Sequence, residues 1–429
     1  MTPPHRTLAL FNYDWDATGY DRAASALGTV IDIAGFDLFS FPSNARLIWF
    51  NAERFAQRLA TQARRKGWRA VVSNHEQFGA LTAALLADRL GWPGTPVKAI
   101  MACQHKLYAR QVLAQVVPEA NVPFQLLQAE YGAPVPAGLT YPVFVKPVKA
   151  AFSVLARQVD SHADLHRHTR FGLRERWVIR KLVEPFERLT RQHLSPDVPS
   201  AHRLLLETPV QADQFNLDGY VFGGSCRPLG VVDALMYPGT QAFMRFQLPT
   251  RLPQAVQDRA LDVARRFLEA VGFTHGLFNM EFFYNDATDE LKVIEFNPRM
   301  ASQFSDLYRQ VKGVCLHELS LALAQGVDPA SLPQYTPSAQ AAASFVHRVF
   351  DPHTAVTMPT PGQLAAFSTV HPQGLVLPFP KPPGSVTRDF KWLGSYRYGI
   401  VHLAGASHED MLSRYREACA MLGWPPLAA

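Results

Sequence analysis

Residues 276–300, GLFNMEFFYNDATDELKVIEFNPRM, constrain this chain more than any other stretch. Aromatic and aliphatic residues dominate 277–284 and 291–296, and Asn285, Asp286, Asp289 and Glu290 mark a reversal between them, the pattern of a β-hairpin. A reversal centred near Thr288 puts Glu281 opposite Glu295. Asn297, two residues on, shares the face of Glu295, and Arg299 follows if the strand continues. The other face, with Phe278, Met280, Phe282, Tyr284, Ile294 and Phe296, is expected to be core.

Two carboxylates directly across a hairpin repel each other and destabilise the sheet. Such a pair calls for a shared proton or a cation between its members. Two carboxylates and an amide oxygen are hard ligands of the kind Mg²⁺ takes alongside phosphate oxygens, so Glu281, Glu295 and Asn297 are candidate metal ligands. The alternative is a solvated outer face with two unrelated glutamates.

The 429 residues, 48% of them hydrophobic, suffice for two to four domains or subdomains. The net charge of +6 is spread over mixed signs with no long basic run, which speaks against a nucleic-acid partner. Four scattered cysteines without C-x-x-C spacing argue against a disulfide framework and a structural zinc. The apolar stretch at 8–11 is too short for a signal peptide, and no window reaches the length of a membrane span; the expectation is a cytoplasmic protein with no membrane partner.

Upstream, residues 7–104 alternate strand-like and helical patterns, which implies a small parallel sheet. Strands are expected at 7–11 and 70–73, and helices at 52–66 and 78–90. Asn74, His75 and Glu76 follow the second strand, where open α/β sheets place ligands; they read equally as a helix cap. A helix begins with Lys106, and a strand at 141–148 buries Lys146, which is costly unless its charge is paired. Further on come a helix at 161–173 whose histidines read as solvated, a strand at 177–182, and strand, break, strand over 204–221. Residues 231–246 carry Asp233, Thr240, Gln241 and Arg245, either in a cleft or on a polar rim. An amphipathic helix at 254–271 leads into the hairpin, a short helix covers 315–326, and a terminal helix covers 408–422.

E-x-N-P-R after a strand, with a strand glutamate about a dozen residues upstream, resembles the metal-binding signature of ATP-grasp enzymes, which include biotin carboxylases, D-alanine–D-alanine ligases and carboxylate–amine ligases. The landmarks occur in family order over roughly residues 95–325. The resemblance implies an α/β (α+β) ATP-grasp fold in four parts. These are a pre-ATP-grasp domain at 1–104, a small lobe and lid at 105–206, a large lobe with the metal site at 207–338, and a biotin carboxylase-like α+β domain at 339–429. It implies ATP and Mg²⁺ as cofactors, with Mn²⁺ as a substitute. Lys106 and Lys146 would reach the phosphates, with Lys149 and Ser153 in the loop over them. Glu207, Thr208 and Val210 would meet adenine, and Gln214 ribose. Lys146 and Arg299 are the catalytic candidates. His75, Glu76, Arg245, Ser302, Gln303 and Arg388 are substrate candidates, and Lys391 and Arg397 are further cations near the C-terminal end. Two departures stand out: the loop after Lys146 reads KAAFSV without glycine, and Gln214 replaces a glutamate.

The activity implied is a ligase that activates a small carboxylate as an acyl phosphate and joins it to an amine, releasing ADP and phosphate. A bicarbonate-activating carboxylase-like enzyme and an ATP-binding module without ligase chemistry are the alternatives. Relatives are commonly homodimers.

Overall fold

The computed structural model describes residues 5–36, 43–76, 78–129, 132–149 and 156–427. Strands His5–Leu10, Thr29–Ala34 and Trp68–Val72 form the expected small parallel sheet, with His5–Leu10 at its centre. The helix Ala52–Lys66 covers it with Ala52, Ala56, Leu59 and Ala63. Asn51 caps its start by accepting from the Arg54 N–H, and Gly67 ends it at φ 72°, a left-handed turn that glycine adopts without strain.

A second, antiparallel sheet holds Phe124–Leu127, Leu204–Glu207, Val143–Pro147 and Arg157–Val159 in that order. The strand expected at 177–182 is instead part of the helix Leu173–His193. Its local run of aromatic and β-branched residues suits a strand, but Val183, Phe186, Leu189 and Thr190 are buried at helical spacing, and Glu175 accepts from the Gly172 N–H at the start. The preceding helix is shorter than expected, His162–Thr169, because the Gly172 cap begins a new one.

The third sheet has eight strands, in the order Glu290–Asn297, Gly276–Asn285, Asp213–Phe222, Ser225–Met236, Phe243–Leu248, Ala341–Val349, Tyr396–Gly405 and Leu375–Pro378. It runs unbroken from the glutamate hairpin to strands near the end of the chain. Helix Gln254–Ala270 lies on the hairpin's apolar face, where Phe267 stacks on Phe296 at 4.0 Å beside Phe278, Met280 and Phe282. Each such buried ring contributes roughly 1.5–3 kcal/mol, which anchors the hairpin from behind.

Glu281 pairs with Glu295 in register, as expected. A β-bulge follows, so that Phe282 pairs with Val293. The extra residue turns alternation over. Val293 therefore takes the core position, and Ile294, expected in the core, lines a cavity on the other face. Among the described residues, no helix is long and apolar enough to cross a membrane.

Candidate active site

The polar face of the hairpin closes one side of a cavity of about 2600 Å³ whose walls come from all three sheets. Single small-molecule pockets run to roughly 300–1,000 Å³, so there is room for more than one ligand. Lys106 enters at the start of the helix Lys106–Val116 and ion-pairs with Glu295. That helix start is held twice: His105 Nδ1 accepts from the Tyr108 N–H at 3.1 Å, and the Lys106 N–H donates to the Val148 carbonyl at 3.1 Å.

Glu281 has different partners. Its Oε1 accepts from Asn297 Nδ2 at 2.9 Å and its Oε2 from Gln214 Nε2 at 2.8 Å. Burial, then the Glu295 and Glu76 charges, push Glu281 up to about 7. Glu295 is buried too, but Lys106 and Lys146 hold it well below the usual carboxylate range. The facing pair thus has a proton or a cation to accommodate, and the strain falls on Glu281.

Glu207 ends the strand Leu204–Glu207 and accepts at one oxygen from two cations, Arg110 Nε at 2.6 Å and Lys146 Nζ at 2.8 Å. Although buried, it titrates low because both cations face it. Burial lowers Lys146 to about 8, with Glu207 opposing the shift. Arg110 also donates to the Val293 and Ile294 carbonyls at 2.8 and 3.0 Å, so it ties Glu207 to the bulge of the hairpin. Sequence reasoning passed Arg110 over. Its signal was its place one helical turn beyond Lys106, on the same face.

Thr208, Val210 and Gln214 line the cavity together with Val122, Phe144 and Ile294. Lys149 is buried and does not line the cavity; it donates to Gln104 Oε1 at 3.0 Å with its ammonium 4.6 Å from the Phe186 ring centre. Burial pushes it down to about 7, with the Glu76 charge opposing the shift. Ser153 lies outside the described residues.

The substrate candidates divide. Glu76 lines the cavity and accepts from Arg299 Nη2 at 2.8 Å. His75 is buried and stacks on Tyr13, itself a wall residue, with ring centres 5.2 Å apart. Arg245 is not on this wall: it is buried over Phe345 at 6.0 Å and borders a small separate cavity with Tyr415. Gln303 donates to Ser344 Oγ at 2.9 Å, and it and the buried Ser302 also fall outside the lining of the large cavity. The Arg388 side chain lies outside the described residues, although Ser385, Asp389 and Leu393 of its helix Pro383–Leu393 do line the cavity.

At the far wall, Arg348 and Arg397 are direct cross-strand partners. Arg348 donates to Ser395 Oγ at 3.1 Å, Arg397 lies 4.5 Å over the Phe379 ring, and neither is ion-paired among the described residues. Burial and then Arg348 lower Arg397 to about 10. Like charges directly opposite cost stability, as they do at the glutamate pair, and here the charge that relieves them is negative.

No protein-family model matches the chain. Among curated proteins, it is 27% identical over 232 residues to the uncharacterised protein y4rH of Sinorhizobium fredii, covering 54% of this chain and 43% of that one. It is 26% identical over 195 residues to a D-alanine–D-alanine ligase of Synechococcus sp., covering 42% and 48%. The chain spans less than half the length of these curated relatives. Among solved structures, it resembles an L-amino acid ligase from Bacillus licheniformis with a TM-score of 0.71 and 16% identity over 98% of both chains. A biotin carboxylase from Campylobacter jejuni gives 0.64 at 13% identity over 97% of this chain and 91% of that one. An N5-carboxyaminoimidazole synthase from Aspergillus clavatus gives 0.64 at 13% over 97% and 98%. These likenesses show that the chain has the fold these enzymes share, the ATP-grasp fold.

Proposed function

We propose that this protein is an ATP- and Mg²⁺-dependent ligase that joins a small carboxylic acid to an amine through an acyl phosphate. The observation that carries the reading is Glu281 facing Glu295, with the charges of Lys106, Lys146 and Arg299 acting on Glu295. A binding module has no need of two opposed carboxylates.

The donor set fits a hard divalent cation. Glu281 and Glu295 face each other in register, and the Asn297 amide beside Glu281 would complete the set with its oxygen. Mg²⁺, or Mn²⁺ in its place, would supply charge neutralisation at the phosphate oxygens.

In this reading the chain's own residues do the following. Lys106, Lys146 and Lys149 neutralise the ATP phosphates. Thr208 and Val210 meet adenine, Gln214 the ribose, and Glu207 holds Lys146 in place. An oxygen of the acid attacks the γ-phosphorus while its bond to the bridging oxygen breaks and ADP departs; Arg299 faces the charge on the transferring group. The amine nitrogen then attacks the acyl carbon, the bond to phosphate breaks, and a proton leaves the nitrogen. Arg348 and Arg397 are proposed to hold an anionic group of the substrate, and Glu76 to orient Arg299. The four-part domain division and a homodimeric assembly belong to the same proposal.

The test is release of ADP and phosphate with Mg²⁺ and ATP, against amino acids and small carboxylates offered singly and in pairs. Release that requires one acid and one amine is expected. Release with bicarbonate alone would replace the reading with a carboxylase-like one, and silence across the panel with ATP bound would leave a binding module.

A further inference from the structure

Asn279 is the polar intruder in the hairpin's apolar run, and it is buried. It pairs in register with Asn297 on one neighbouring strand and with Asp218 on the other. Three polar side chains abreast across the interior of a sheet are costly unless every polar atom finds a partner. Here they form one line of bonds. Tyr308 Oη donates to Asp218 Oδ2 at 2.9 Å, Asn279 Nδ2 donates to Asp218 Oδ1 at 3.0 Å, and Asn297 Nδ2 donates to Asn279 Oδ1 at 3.2 Å.

The line has a direction. A carboxylate only accepts, so Asp218 draws the NH₂ of Asn279 toward itself and leaves its oxygen for Asn297. The NH₂ of Asn297 is then spent on Asn279 and, at 2.9 Å, on Glu281. Its Oδ1 takes no hydrogen bond among the described residues and is the atom left to face a cation. The far end is anchored as well: Tyr308 Oη lies 3.0 Å from the Gly230 carbonyl, and a Cβ at Gly230 would press within 3.2 Å of the Tyr308 ring. The glycine makes room for the anchor.

We propose that Asp218 and Asn279 are positioning residues that fix the Asn297 amide with its oxygen toward the metal; this rests on the ligase reading above. Neither touches the cation. Without them the amide can turn over and present its NH₂, which a cation rejects. Partners behind metal ligands typically set affinity by about 10- to 100-fold.

The test is equilibrium Mn²⁺ binding to the whole protein with a non-hydrolysable ATP analogue, read by electron paramagnetic resonance, with a melting curve for each variant. Asn279→Leu is expected to weaken Mn²⁺ binding about tenfold or more. Asn279→Val, whose branched side chain suits a strand, replaces it if the leucine variant does not fold. The exchanged double variant, Asp218→Asn with Asn279→Asp, is expected to bind Mn²⁺ within about threefold of the natural protein. In it the amide introduced at 218 donates to the carboxylate introduced at 279, which still accepts from Asn297. An Asn279→Leu or Asn279→Val protein that melts earlier yet binds Mn²⁺ as tightly as before would overturn the proposal, as would a double variant no better than the single one. Failure of the natural protein to bind Mn²⁺ at all would overturn the ligase reading itself.

Discussion

Arg299 donates to Glu76 at 2.8 Å across a separation of 223 residues. One follows the end of the glutamate hairpin and the other lies in the turn after a strand of the small N-terminal sheet, so the contact joins two of the three sheets. Glu76 and Tyr13 raise Arg299, although burial opposes the shift, and its charge is secure. Glu76→Gln keeps the shape but removes the acceptor charge that orients the guanidinium. The expected result is a folded protein with turnover reduced about 10- to 100-fold. ADP release at saturating ATP checks it, and unchanged turnover would free Glu76 of this role.

Glu295→Gln removes charge at constant shape from the carboxylate that faces both Lys106 and Glu281. Turnover is expected to fall at least about a hundredfold with the melting temperature little changed. Chelation of divalent ions should silence the natural protein in the same assay, with Mg²⁺ or Mn²⁺ restoring it. Activity that survives both treatments would sink the metal assignment.

Lys146 and Arg110 share Glu207. Lys146→Ala therefore leaves Glu207 paired with Arg110, and the loss should appear mainly as a KM for ATP raised about tenfold or more. A titration of initial rate against ATP decides the matter; an unaltered KM removes Lys146 from the phosphates.

Arg397 sits opposite Arg348 on the far wall. Arg397→Met keeps the apolar stem and removes the charge. The KM for the acid or the amine substrate, whichever bears the anionic group, should rise about tenfold while that for ATP stays put. If both KM values are unmoved, the substrate's charge is read elsewhere.

A stability prediction lies away from the cavity. His317 Nε2 contacts Asp16 Oδ1 at 3.0 Å, and both are buried. Burial alone would lower His317, but Asp16 raises it to about 9. A raised folded-state value means that the stabilisation is complete below the unfolded value of about 6.5 and disappears as pH rises through about 9. Asp16→Asn should cost roughly 3 kcal/mol at pH 6, with a much smaller deficit at pH 10. Urea unfolding of both proteins at the two pH values measures it; an equal deficit at both would show that the charge is not the source.

The sequence by itself determined the elements whose causes are local. The hairpin with Glu281 across from Glu295 followed from two apolar runs and one polar reversal. The helices Ala52–Lys66, Gln254–Ala270 and His408–Leu422 followed from periodicity and end signals within a dozen or so residues. Tertiary structure alone decided whatever depends on a distant partner. It made 177–182 helical, because the segment lies in the first half of a helix anchored by the buried Val183, Phe186 and Leu189 that follow it. The bulge that sent Ile294 to the cavity and Val293 to the core has no mark in the alternation of residues. Arg245, Ser302 and Gln303 carry the right chemistry, but the sheet and the turn after Arg299 direct them away from the large cavity. Arg110, a plain helix cation in sequence, becomes the tie between Glu207 and the hairpin only when strands far along the chain bring their acceptors to it. Period and propensity act over a few residues; burial and charge pairing act between neighbours in space, and in this protein those neighbours lie up to hundreds of residues apart in the chain.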